Sequence, residues 1–162
     1  MAISFESLAE EHRIPVMDIF NYYIENSFAA YPDKTLGYEF FDKITDNTKG
    51  YPAYAIKSEE KIIGFCYLSA YNPLPSFKKT AQITYFIAND FIGKGIGTLA
   101  LKRLEDDARN VGVDVLLAHI SSLNSESIKF HLKNGFRECG RFENIITKHN
   151  RSFDIIWLQK NI

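Results

Sequence analysis

Gly93, Gly95 and Gly97 recur at alternate positions in Asn89-Asp90-Phe91-Ile92-Gly93-Lys94-Gly95-Ile96-Gly97, between a strand-like run and a helix-like one. The first N–H groups of a helix have no partner inside it, and the macrodipole adds partial positive charge there. Glycines let the chain take positive φ and approach an anion closely, and Lys94 offers a cation. The segment reads either as a phosphate cradle or as a tight turn without a ligand. Three glycines together favour the cradle. Gly95-Ile96-Gly97-Thr98-Leu99-Ala100 also fits the relaxed dinucleotide pattern Gly-x-Gly-x-x-Ala. That pattern belongs on the first strand of a βαβ unit and needs an acidic residue after the next strand. Here it follows a hairpin, and the next apolar run ends in His119-Ile120-Ser121-Ser122. No Lys-Ser/Thr pair completes a P-loop, so hydride transfer and nucleoside triphosphate hydrolysis both recede.

His131 is the other residue suited to proton chemistry, since imidazole titrates near neutrality. On position alone it reads as a partly buried histidine favouring the C-terminal half of its helix. Cys66 and Cys139 are isolated thiols without metal-ligand spacing, so no metal site is expected and a reducing cytoplasm is the expected setting.

These residues need elements to hold them. After Pro15, Val16, Ile19, Phe20, Tyr23 and Ile24 recur at helical spacing, and a weaker helix is predicted over Tyr38 to Ile44. Ala53 to Lys57 and Ile62 to Tyr71 read as a hairpin around Ser58-Glu59-Glu60-Lys61. Thr80 to Ala88 is a β-branched and aromatic strand. The helix after the glycines carries Leu101, Leu104, Ala108 and Val111 on one face and stops at Gly112. Val113 to Ile120 reads as a central strand. Asn124 to Lys133 reads as a short helix with Ile128 and Leu132 inward. Phe136 to Ile146 and Phe153 to Gln159 close the chain as strands. Helices layered on a mixed sheet make an α/β (α+β) fold.

At 162 residues, with 46% apolar and 24% charged residues, the chain reads as one domain spanning 1–162. Nineteen basic against twenty acidic residues leave a formal charge of −1, which argues against nucleic-acid partners. No apolar run reaches the roughly 18 residues of a membrane span, and Met1-Ala2-Ile3-Ser4-Phe5-Glu6 lacks a secretory signal's basic start.

Three segments together resemble the GCN5-related N-acetyltransferase (GNAT) superfamily. They are Ile83-Thr84-Tyr85-Phe86-Ile87, Ile92-Gly93-Lys94-Gly95-Ile96-Gly97, and Asn124 through Phe136 with its Ser127-Ile128-x-x-His131 pattern. Ile19-Phe20-Asn21-Tyr22-Tyr23-Ile24, Lys148-His149-Asn150-Arg151-Ser152-Phe153-Asp154 and that Ser127–His131 pattern are similar to the branch containing phosphinothricin and methionine sulfone/sulfoximine acetyltransferases. The resemblance implies a central mixed, mostly antiparallel sheet with a splayed parallel strand pair and helices on both faces. It implies acetyl-CoA in that splay, its pyrophosphate on the backbone of Ile92, Gly93, Lys94, Gly95, Ile96, Gly97 and Thr98. The pantetheine arm would pair with Tyr85-Phe86-Ile87 and be bonded by Asn124. A backbone N–H near Ile87 would stabilise the oxyanion, and His131 would be the general acid. The acceptor implied is a small primary amine, an amino acid or analogue, and many relatives are homodimers.

The chain departs from that pattern at two places. Gln82 stands where the branch often has a glutamate, and an amide cannot take a proton. A water relay, His119 or His131 acting twice remain as bases, and His119 equally reads as a packing residue. Ile92 stands where the superfamily usually has Arg or Gln, which leaves the backbone cradle intact. Phe28, Tyr31 and Phe77 are candidate walls of the acceptor pocket, with Lys78 or Lys79 a candidate cation. The rival readings are a non-catalytic acyl-CoA-binding module and a protein or peptide N-terminal acetyltransferase.

Overall fold

A computed structural model, describing residues 1–162, has strands and helices in the order β1 (Ile3–Ser7), α1 (Arg13–Asn26), α2 (Phe41–Asn47), β2 (Ala53–Ser58), β3 (Lys61–Ala70), β4 (Thr80–Ile87), α3 (Ile96–Asn110), β5 (Val115–Ser121), α4 (Ser125–Lys133), β6 (Arg137–Lys148) and β7 (Arg151–Asn161). The strands form one seven-stranded sheet ordered β1-β2-β3-β4-β5-β7-β6. Every neighbouring pair is antiparallel except β4 and β5.

That parallel pair meets only at Thr80–Val115, Ala81–Leu116 and Gln82–Leu117. Beyond these positions β4 stays paired with β3 as far as Ile87, and β5 stays paired with β7 as far as Ser121. The two strands therefore part, leaving a gap between Ile83–Ile87 and Ala118–Ser121.

Successive side chains on a strand point to opposite faces, and the core divides accordingly. Val16 and Met17 of α1 with Phe41 and Ile44 of α2 pack on Phe65. Ile96, Ala100, Leu101, Leu104 and Ala108 of α3 pack on the other face, with Cys66, Leu68, Ala81, Leu116, Ala118 and Leu158. Helices thus cover both faces of a mixed sheet, as the resemblance implied. Each fully buried Leu or Ile here contributes about 1.5–3 kcal/mol.

Several sequence expectations are corrected. The N-terminal run Ile3-Ser4-Phe5-Glu6-Ser7, read only for what it lacked, is β1, and it pairs with β2. Tyr38 opens a 3₁₀ turn rather than an α-helix and is exposed, its hydroxyl donating to Asp18 at 2.7 Å. Val111 caps α3 outside the core, because the helix ends at Asn110. In α4 Leu132 faces solvent and His131 turns inward: both spacings share a face with Ile128, and the Tyr85 hydroxyl and Ser127 carbonyl hold the imidazole inside.

Candidate active site

The glycine segment runs from a 3₁₀ turn at Asn89–Phe91 into the N-terminus of α3. Gly93 and Gly95 have φ of 77° and 79°, a region that costs an L-residue strain. Gly97 is constrained differently: a Cβ there would lie 3.4 Å from Cζ of Phe130, so α3 and α4 approach closely. The first backbone bond of α3 runs from Leu99 N–H to the Gly95 carbonyl at 3.2 Å. No backbone N–H from Gly93 to Thr98 donates to an acceptor within the chain. Lys94 and Lys61 lie over the Phe91 ring, at 5.2 and 5.5 Å. Ile92 is exposed beside them. The segment is a concave row of free donors with cations at its rim, matched to a diphosphate.

This row follows the open edge of β4 across a turn whose Phe91 and Ile92 N–H groups bond the Ala88 and Asn89 carbonyls. Ala88 N–H bonds the Ile63 carbonyl of β3 at 2.7 Å, so the groups of Phe86 also face β3 and those of Tyr85 and Ile87 face the gap. The Ile87 carbonyl accepts from the Tyr23 hydroxyl, leaving its N–H free. Burial pushes the Tyr23 phenol up to about 12, so it remains a donor at neutral pH. Sequence reasoning placed Tyr23 only on a buried helix face, and no spacing signal marks its hydrogen bond. Phe86 offers the gap no main-chain group; its ring packs on Phe20, Tyr23 and Phe65.

On the α3 and α4 side, Asn124 caps α4, its Oδ1 accepting from Ser127 N–H at 3.3 Å while its NH₂ stays free. His131 is buried beneath it. Its Nδ1 lies 2.7 Å from the Ser127 carbonyl, so that nitrogen carries the proton and Nε2 accepts the Tyr85 hydroxyl. Burial lowers the imidazole pKa, opposed in part by the Ser127 carbonyl, and burial raises the Tyr85 phenol well above its usual value. The pair is therefore neutral at rest.

On the α1 side, Gln82 and Leu117 are the last paired residues, and His119 stands two positions further along the same face. Gln82 Nε2 donates to the Ala70 carbonyl at 3.4 Å, leaving Oε1 free. Tyr31 lies on His119, its hydroxyl 3.2 Å from Nδ1. Burial lowers the His119 pKa and raises that of Tyr31. Contacts run on from His119 to Trp157, Tyr71 and Phe77, with centroids 5.0, 6.1 and 5.7 Å apart. Phe28 does not join this run; it packs 5.4 Å from Phe153. The geometry thus gathers Gln82, His119 and Tyr31 at one mouth of the gap and the Tyr85–His131 pair at the other, with Phe77 at a distance. Trp157 and Tyr71, which link Phe77 to the mouth, gave no signal in the sequence beyond strand propensity.

A sequence model of the acetyltransferase (GNAT) family matches residues 16–136. The L-amino acid N-acyltransferase MnaT of Escherichia coli is 26% identical over 148 residues, covering 89% of this chain and 85% of that protein. The L-methionine sulfoximine/L-methionine sulfone acetyltransferase of Pseudomonas paraeruginosa is 30% identical over 115 residues, covering 70% of this chain and 67% of that one. The crystal structure of a ribosomal-protein-alanine N-acetyltransferase from Brucella melitensis superposes with a TM-score of 0.91 at 26% identity, covering 100% of both chains.

Proposed function

Since the chain belongs to the acetyltransferase (GNAT) family, we propose that it moves the acetyl group of acetyl-CoA to the primary amine of a small molecule, an amino acid or analogue. The observation that carries this reading is the row of free donors at Gly93–Thr98 preceded, across a turn whose own N–H groups are largely bonded, by free main-chain groups on the open edge of β4. The order and chemistry of these two stretches fit a diphosphate followed by an amide-bearing arm. The named relatives that act on L-amino acids and methionine sulfone support the acceptor class.

Acetyl-CoA, when bound, supplies a thioester activated for attack by an amine. The free N–H groups of Gly93–Thr98 and the Lys94 ammonium would hold the diphosphate, whereas the Ile92 N–H is engaged by the Asn89 carbonyl at 3.4 Å. Tyr85 main-chain groups and the Asn124 amide orient the arm. The Ile87 N–H, next to the carbonyl that Tyr23 secures, would stabilise charge developing on the thioester carbonyl oxygen. At the α1 mouth, Gln82 receives the amine through its free Oε1, and His119, held by Tyr31, takes the proton that the ammonium must lose. At the other mouth the Tyr85 hydroxyl, aimed at rest by His131 Nε2, would turn to hydrogen-bond the departing thiolate, which would take up the second proton lost by the attacking nitrogen. Tyr31 lines the acceptor pocket, with Phe28 behind it and Phe77 further out. No metal takes part in this scheme.

A peptide amine is the second reading, favoured by the Brucella melitensis neighbour. We further propose that residues 1–162 act as one domain in the cytoplasm. Pairing as a homodimer through the outer strand β6, with its exposed Phe142 and Ile145, completes the proposal. A free-thiol assay with acetyl-CoA tests the function against amino acids, methionine sulfone, methionine sulfoximine, phosphinothricin, polyamines and alanyl peptides. Turnover of the amino acids or analogues is expected. Turnover of peptides alone selects the second reading, and binding of CoA without turnover of any amine overturns both.

A further inference from the structure

Lys148 is only 1% exposed, yet no carboxylate pairs with its ammonium. A buried charge without compensation is costly; here two main-chain carbonyls supply the contacts, and the Asp33 charge assists through space against the burial that lowers the ammonium pKa. Lys148 Nζ donates to the carbonyls of Ser27 at 2.7 Å and Ala30 at 2.6 Å. Ser27 is the C-cap of α1, where the helix dipole favours a cation. The Ala30 carbonyl belongs to the peptide unit leading into Tyr31. The mechanism proposed above does not use Lys148.

The side chain projects from a two-residue hairpin connection. His149 and Asn150 have φ of 51° and 59°, as a tight turn with left-handed central residues requires. The same hairpin holds Phe28, with the Arg151 guanidinium 5.8 Å from its ring, His149 at 6.1 Å and Phe153 at 5.4 Å. Segment 27–31 is thus gripped at its backbone by Lys148 and at Phe28 by the neighbouring side chains, and it delivers Tyr31 to His119.

We infer that Lys148 is the positioning residue of the acceptor pocket, fixing the wall 27–31 and so setting the grip on the acceptor amine. This rests on the acetyltransferase reading. Lys148 touches neither mouth of the gap, so its effect falls on acceptor affinity and not on the diphosphate track.

The test is Lys148→Met, which keeps the aliphatic stem and removes the donors. It is assayed with methionine sulfone and acetyl-CoA and followed by amide hydrogen exchange. The KM for methionine sulfone should rise about tenfold, the worth of one charged hydrogen bond. The KM for acetyl-CoA should stay within about twofold. Exchange at 27–31 should accelerate while 80–87 is unchanged. An unchanged acceptor KM overturns the inference, as does a rise in both KM values or faster exchange in both segments. If Lys148→Met does not fold, Lys148→Gln, neutral and too short to reach both carbonyls, replaces it, with the same split expected and an unchanged acceptor KM again overturning the inference. If the wild-type protein acetylates no amine, the functional reading fails separately. Exchange at 27–31 then decides the role of Lys148 by itself: acceleration confined there upholds the clamp, and none removes it.

Discussion

The Tyr85 hydroxyl donates to Nε2 of His131 while Nδ1 of the same ring is held 2.7 Å from the Ser127 carbonyl, which fixes one tautomer. Both ring nitrogens are engaged, so in the proposed scheme the imidazole acts only in concert with the phenol.

Removing either partner should cost turnover and leave cofactor binding intact. Tyr85→Phe and His131→Ala are each expected to lower kcat roughly a hundredfold, within the usual range for a positioned proton-transfer group. Their double variant should be no worse than the poorer single. Steady-state kinetics with acetyl-CoA in excess decides it, and additive losses would show two independent roles.

The glycine track makes a separate prediction. Gly95→Ala forces a side chain into φ of 79°, a strain of about 1–2 kcal/mol that the loop relieves by turning its donors away. Calorimetry should give an acetyl-CoA Kd about tenfold weaker, with the acceptor KM unaltered. An unchanged Kd would mean that the row of N–H groups does not hold the diphosphate.

His119 is tested through pH. Replacing it by Gln should depress kcat/KM for the amine near neutrality, and the deficit should shrink as alkaline buffer deprotonates the acceptor unaided. A loss constant across the pH range would leave His119 a packing residue against Trp157 and Tyr31.

Stability should also respond to acid. Burial lowers the pKa of both His119 and His131 below 6.5 in the folded chain. As pH falls through 6.5, the unfolded chain takes up protons that the folded one refuses, so these groups weaken the fold on acidification. The melting temperature of His119→Gln/His131→Gln should fall less steeply than the parent's between about pH 7.5 and 5.5. Parallel curves would refute this.

What the sequence disclosed follows from the range of each interaction. The glycine turn, the face of α3 with Leu101, Leu104 and Ala108, and the central strand β5 are local patterns of period and punctuation, and all were legible. The side-chain partners were not. Tyr85 and His131 lie 46 positions apart, and Lys148 and Ala30 lie 118 apart, so no window of sequence shows them meeting. His131 turned inward where Leu132 was expected because the polar side chain found partners at Ser127 and Tyr85. Hydrophobic periodicity does not weigh that gain.

With only three residue pairs joining β4 to β5, the molecule is two half-sheets stitched along a short seam. A guest lying along the open edge lengthens the stitching. Force applied across the seam at Gln82–Leu117 should therefore meet more resistance in the loaded protein than in the empty one.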